Sequence, residues 1–124
     1  MIVGLDHVQI AAPAACEQAA RAFYGELLGL VELPKPPALR ARGGVWFELP
    51  DGRQLHVGVE APFAPARKAH PALALQSPAA LEQLAGELAR RGHAPRWDEE
   101  LPGARRCYVE DPFGNRLELL AHVR

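Results

Sequence analysis

The chain has 124 residues, 48% hydrophobic and 23% charged, which suffices for one globular domain with its own core and is too short for two ordinary ones. Its 14 Lys and Arg against 15 Asp and Glu give a net charge of −1, and aromatic residues make up only 6%. That balance leaves no basic footprint or stacking surface for nucleic acid, so the expected partner is a small molecule or a protein.

No apolar run reaches the length of a membrane span, and the opening "MIVGLDHVQI" lacks the pattern of a secretory signal. A cytoplasmic protein with no membrane partner is the expectation. Cys16 and Cys107 lack CxxC spacing and read as reduced, unreactive thiols.

In chain order, "DHVQIAA" (6–12) alternates as a strand. "AACEQAARAFYGELLG" (14–29) reads as a helix whose inner face is Ala15, Ala19, Phe23 and Leu27, stopped by Gly29. "LVEL" starts a second strand, "LPKPP" interrupts it, "VWFELP" is a third strand, and "RQLHVGVE" is a fourth across a turn at Asp51-Gly52. The order is β-α-β-β-β. "EAPFAPARKA" (60–69), rich in Pro and Ala, reads as a linker.

The same order then recurs. "HPALALQ" is a strand, Ser77 caps a helix with Pro78 at its first position, and Leu81, Leu84 and Leu88 form its stripe before Gly92. "APRWDE", "RRCYVED", the turn "PFGN" and "RLELLAH" complete three more strands. The chain thus divides into module 1 (1–60), a linker (61–69) and module 2 (70–124) of a single α+β domain.

The modules align by residue as well as by pattern. Placing His56 of "DGRQLHVG" over Glu118 of "FGNRLELL" brings Trp46 onto Tyr108, Glu48 onto Glu110, Pro50 onto Pro112, Gly52 onto Gly114 and Leu55 onto Leu117 without a gap. With a one-residue slip, His7 falls on His70. Each half opens with a histidine and closes with a metal-ligand type, imidazole in one and carboxylate in the other. Strand alternation puts His56 on one face with Gln54 and Gly58, and sets Glu118 between Leu117 and Leu119.

These segments, "GLDHVQI", "FYGELLGL", "KAHPALAL" and "EDPFGNRLELL", resemble the vicinal oxygen chelate superfamily, which includes glyoxalase I, extradiol dioxygenases, fosfomycin-modifying enzymes and bleomycin-resistance proteins. The resemblance covers essentially the whole chain. It implies two βαβββ modules whose curled mixed sheets form a cup, paired as a homodimer. In metal-dependent members the ligands come from the first and last strands of each module, which implies His7, His56, His70 and Glu118 here. Such a set suits a divalent iron, zinc, manganese, nickel or cobalt ion. Tyr108 and its counterpart Trp46 stand where a bound ligand is contacted in some relatives, Arg106 shares the face of Tyr108, and Arg67 and Lys68 precede His70. These five are candidate substrate contacts, with Glu118 and Tyr108 as candidate catalytic groups.

Three functions follow as expectations. The leading one is a glyoxalase-like lyase or isomerase that chelates vicinal oxygens and stabilises an enolate or enediolate. If His56 stands aside, His7, His70 and Glu118 form the facial triad of an iron(II) ring-cleaving dioxygenase. A metal-free protein that binds a small molecule or sequesters an antibiotic is the third. Fosfomycin-type chemistry ranks lower, because only "LLAHVR" follows Glu118.

Overall fold

A computed structural model describes residues 1–123. The chain forms two compact units, Met1–Pro65 and Ala66–Arg124.

The first unit contains β1 (His7–Ala12), α1 (Glu17–Ala20) continuing as a π-helical stretch (Arg21–Leu27), β2 (Val31–Leu33), α2 (Pro37–Arg40), β3 (Val45–Glu48) and β4 (Gln54–Val59). The second contains β5 (Ala72–Ala74), α3 (Pro78–Arg90), β6 (Arg96–Asp98), β7 (Ala104–Glu110) and β8 (Arg116–His122). Their sheets have the same order, β1-β4-β3-β2 and β5-β8-β7-β6. In each, the first and last strands of the unit are parallel and the remaining pairs antiparallel. Both repeats are therefore the expected βαβββ, and the α+β class holds.

Register confirms the alignment pair by pair. Gln9 and Trp46 flank His56 across its two neighbouring strands, and Ala72 and Tyr108 flank Glu118 in the same way. The turns match as well. Leu49 N–H donates to the Arg53 carbonyl at 2.8 Å and Gly52 N–H to that of Leu49 at 2.9 Å; Asp111, Asn115 and Gly114 repeat both bonds at 2.9 and 3.1 Å. Gly52 and Gly114 sit at φ +87° and +89°, a region that costs a Cβ-bearing residue about 1 kcal/mol or more.

Each sheet buries one face against its helix. Leu55, Val57, Val45 and Phe47 form the inner layer of the first unit with Phe23 and Tyr24, the Tyr24 and Phe47 rings lying 5.9 Å apart. Leu117, Leu119, Ala121, Cys107 and Val109 do so in the second with Leu81, Ala85 and Leu88. Each fully buried large side chain contributes ~2 kcal/mol.

The first helix differs from the expected one. Its buried stripe is Cys16, Ala20, Phe23 and Tyr24, whereas Ala15 is exposed and Ala19 and Leu27 are half-buried. Residues four apart drift by about 40° per step around a 3.6-residue helix, so a chain of such steps leaves the core, and the π-helical stretch displaces the later positions further. In α3, Ala85 takes the core place expected for Leu84, which is half-buried. Ser77 Oγ accepts from Ala80 N–H at 3.1 Å, as a capping serine should. The "LPKPP" interruption leads into the short α2, opened by Pro37 at its first turn.

Both cysteines are buried and unpaired. Burial pushes the Cys107 thiol up to about 11 and raises that of Cys16 as well, which keeps both protonated and inert near neutral pH. Among the described residues, no helix is long and apolar enough to cross a membrane.

Candidate functional site

On the sheet face opposite each helix, the two units gather different chemistry. In the second, β8 presents Glu118 beside Tyr108 and Arg106 of β7, while His70 stands two residues before β5. His70 Nε2 lies 3.1 Å from Glu118 Oε1, and its Nδ1 lies 2.8 Å from the Lys68 carbonyl oxygen. A carbonyl oxygen only accepts, so Nδ1 carries a proton and donates it there. Nε2 of a neutral ring then turns its lone pair toward a carboxylate. Two acceptors at that distance repel unless a proton or a cation lies between them. The backbone carbonyl behind Nδ1 is the usual support of a metal-binding imidazole, so the donor set of this half fits a divalent cation.

Glu118 is only 7% exposed, and its other oxygen, Oε2, accepts from Arg106 Nη1 at 3.2 Å. Arg106 does not stand free for a substrate anion; its remaining edge is bound to Asp98 Oδ1 at 3.2–3.3 Å. Tyr108 meets the His70 ring edge-on at 5.5 Å and lies under the guanidinium groups of Arg106 and Arg116 at 5.4 and 5.2 Å. Arg67 is exposed, 3.6 Å from Glu110, and Lys68 is exposed as well.

In the first unit, His56 is sandwiched between two rings. His7 stacks on one face at 4.2 Å and Trp46 on the other at 4.0 Å, with interplanar angles of 19° and 4°. Gln54 Oε1 accepts from His56 Nε2 at 2.8 Å, which leaves Nδ1 as the His56 donor atom. Asp6 Oδ1 accepts from His7 Nδ1 at 2.9 Å, which leaves Nε2 as the His7 donor atom. A carboxylate behind a histidine is again the support of a metal ligand. Among the described residues, no three His, Cys, Asp or Glu side chains gather as a metal cluster.

Burial lowers the His56 pKa below its ordinary 6.5, helped by the neighbouring His7 and Lys35 and opposed by Asp6. The unfolded chain therefore takes up this proton first as pH falls. Stability contributed by neutral His56 is complete above 6.5 and is lost as the pH drops below it. Urea unfolding of the metal-free protein at pH 7.5 and pH 5 should show a smaller loss for His56→Gln than for the parent. An equal loss would assign the acid sensitivity to other groups.

The lead-in to each histidine is tied to the turn before the last strand. Arg53 Nε donates to the Leu5 carbonyl at 3.1 Å, and Asn115 Oδ1 accepts from Ala66 N–H at 2.9 Å. Buried Asp111 locks the second turn, accepting from the Phe113 and Asn115 N–H groups at 2.9 and 2.8 Å and from Asn115 Nδ2 at 3.1 Å. Sequence reasoning missed Asp111 and Asn115 as site supports. Their signal was the Asp and Asn bracketing "PFG", a spacing that suits side-chain capture of turn amides. A groove of about 410 Å³ in the first unit is lined by Trp46 together with residues of β2, α2 and the first helix. Its cations Arg21, Lys35 and Arg40 are already engaged, by Glu32, the Gly43 carbonyl and the Lys35 carbonyl.

The chain matches no protein-family model and no curated protein. Among solved structures, a glyoxalase family protein from Bacillus anthracis is 45% identical, covered over 98% of its chain against 99% of this one, with a TM-score of 0.92. The chain belongs to the glyoxalase family. A glyoxalase/dioxygenase from Nostoc punctiforme shares the fold at 23% identity and TM-score 0.79, over 98% of this chain and 92% of that one. So does a mutant of the fosfomycin resistance protein FosX from Listeria monocytogenes, complexed with manganese(II) and a dihydroxypropylphosphonic acid. It is 19% identical, with a TM-score of 0.79 over 99% of this chain and 95% of that one. Because FosX is covered almost completely, chain length does not set this glyoxalase family member apart from it.

Proposed function

We propose that this glyoxalase family protein is a metal-dependent enzyme acting on a small substrate with two vicinal oxygens, as a glyoxalase-like lyase or isomerase. The observation that carries the reading is the convergence of His70 Nε2 and Glu118 Oε1 at 3.1 Å, two acceptors that need a cation or proton between them. His7 Nε2 and His56 Nδ1 are the donors proposed from the first unit. Manganese(II) bound to FosX, which shares the fold, supports a divalent ion here. Such an ion supplies Lewis acidity, polarising a substrate carbonyl and stabilising negative charge on its oxygens as the adjacent proton leaves. Glu118 is the carboxylate proposed to move that proton on leaving one of its partners, and Tyr108 the proposed hydroxyl donor beside it. Trp46, Arg67 and Lys68 are proposed substrate contacts, the two cations favouring a carboxylate or phosphate. The homodimer belongs to the same reading; β1 and β5 are both edge strands.

The sandwiching of His56 favours a second reading. With its ring held between His7 and Trp46 and Nε2 bonded to Gln54, it is poorly free to ligate, and the remaining His7, His70 and Glu118 suit an iron(II) dioxygenase. Metal analysis of untagged protein, with and without His56→Ala, followed by reactions in D2O and oxygen uptake with catechols, separates the two. Solvent deuterium entering an α-hydroxy or α-dicarbonyl substrate, with metal lost in His56→Ala, supports the lyase or isomerase. Oxygen uptake with metal retained supports the dioxygenase. No bound transition metal after reconstitution sinks both and leaves a metal-free binding protein.

A further inference from the structure

Glu118 is held from both sides. Oε1 faces His70, while Oε2 is bonded to Arg106, whose other edge is fixed by Asp98. Asp98 is itself anchored, its Oδ1 accepting from Glu100 N–H at 2.8 Å. The run from the Glu100 amide through Asp98, Arg106, Glu118 and His70 to the Lys68 carbonyl is continuous, and Arg106 is only 18% exposed along its side chain. The first unit has no counterpart. Its residue at the position of Arg106 is Gly44, which precedes Val45 on β3 just as Arg106 precedes Cys107 on β7. The guanidinium thus accompanies the half whose last strand carries a carboxylate, and is missing from the half that carries an imidazole there.

A carboxylate, unlike an imidazole, has two oxygens to offer a cation. We propose that Arg106 is a positioning residue that confines Glu118 to ligation through Oε1 alone, an inference that rests on the cation site proposed above. By occupying Oε2 it leaves Oε1 as the one oxygen Glu118 would offer a cation, and its charge would weaken the hold of the site on that cation. This sign is opposite to that of the usual outer partner of a metal ligand, an anion or carbonyl whose loss weakens binding by about 10–100-fold.

Cobalt(II) titrated into the metal-free protein tests this by affinity, from chelator competition, and by visible absorption, which weakens as coordination number rises. Arg106→Gln should bind cobalt about tenfold or more tightly, with weaker visible bands, because the freed oxygen joins the ligand set. Arg106→Met, which keeps the stem of the side chain but removes its donors and charge, should shift both readouts the same way, and it serves alone if Arg106→Gln does not fold. Unchanged or weaker affinity, or an unchanged spectrum, in a folded variant overturns the proposal while leaving the cation site standing. Absence of cobalt binding by the parent protein overturns the cation site, and this inference with it.

Discussion

At the proposed cation site, Glu118→Gln should abolish divalent-cation binding while the chain remains folded. The substitution keeps the shape and one acceptor oxygen of the side chain and removes its charge. The amide can still meet His70 and Arg106 on its two sides, and Arg106 retains Asp98, so the loss of stability should stay near 1 kcal/mol. Cation affinity should fall more than about 100-fold, since changing a ligand must exceed the 10–100-fold cost of changing its supports. Glu118→Ala adds a structural loss, because the half-buried guanidinium forfeits one of its two anions. Metal content by mass spectrometry and thermal unfolding on the same samples separate the two effects. Stoichiometric metal held by Glu118→Gln at unchanged affinity would remove the carboxylate from the site.

Asp111→Ala carries the largest expected loss of stability. Asp111 is 4% exposed and accepts from two backbone amides and the Asn115 side chain, whose own oxygen holds Ala66. Removing the carboxylate takes its acceptor oxygens away from these donors, for about 3 kcal/mol of the 5–15 kcal/mol that stabilise a typical domain. A melting point about 10 °C lower follows. Asp51→Ala provides the comparison. Asp51 accepts from the backbone amide and guanidinium of Arg53 in the equivalent turn, but it is exposed and should cost far less. The loosened Ala66 should also release the segment leading to His70, so cation affinity should fall in Asp111→Ala and not in Asp51→Ala. Equal melting points for the two variants would show that the buried latch contributes no more than the exposed turn.

Much of the architecture is legible in the sequence because it repeats. The matched pairs Trp46 and Tyr108, Gly52 and Gly114, and Leu55 and Leu117 declare equivalent strands and turns, and strand alternation puts His56 and Glu118 on the face away from the helix. Period-two patterning and turn chemistry act between near neighbours, so a linear reading recovers them. The inner face of the first helix was less legible. Its seven-residue π-helical stretch changes the angle between successive side chains, and the alternation of Ala and larger residues fits several stripes equally well.

The sequence by itself determined the two βαβββ units, their residue-by-residue equivalence and the donor types each one offers. Only the tertiary structure decided what surrounds those donors. His56 is locked between His7 and Trp46, Glu118 is shared by His70 and Arg106, and the Asp111 turn holds the approach to His70. The reason is physical. Pairing and alternation follow from backbone geometry along one strand, whereas ring stacking, ion pairing and the choice of a free lone pair depend on side chains brought together from different strands.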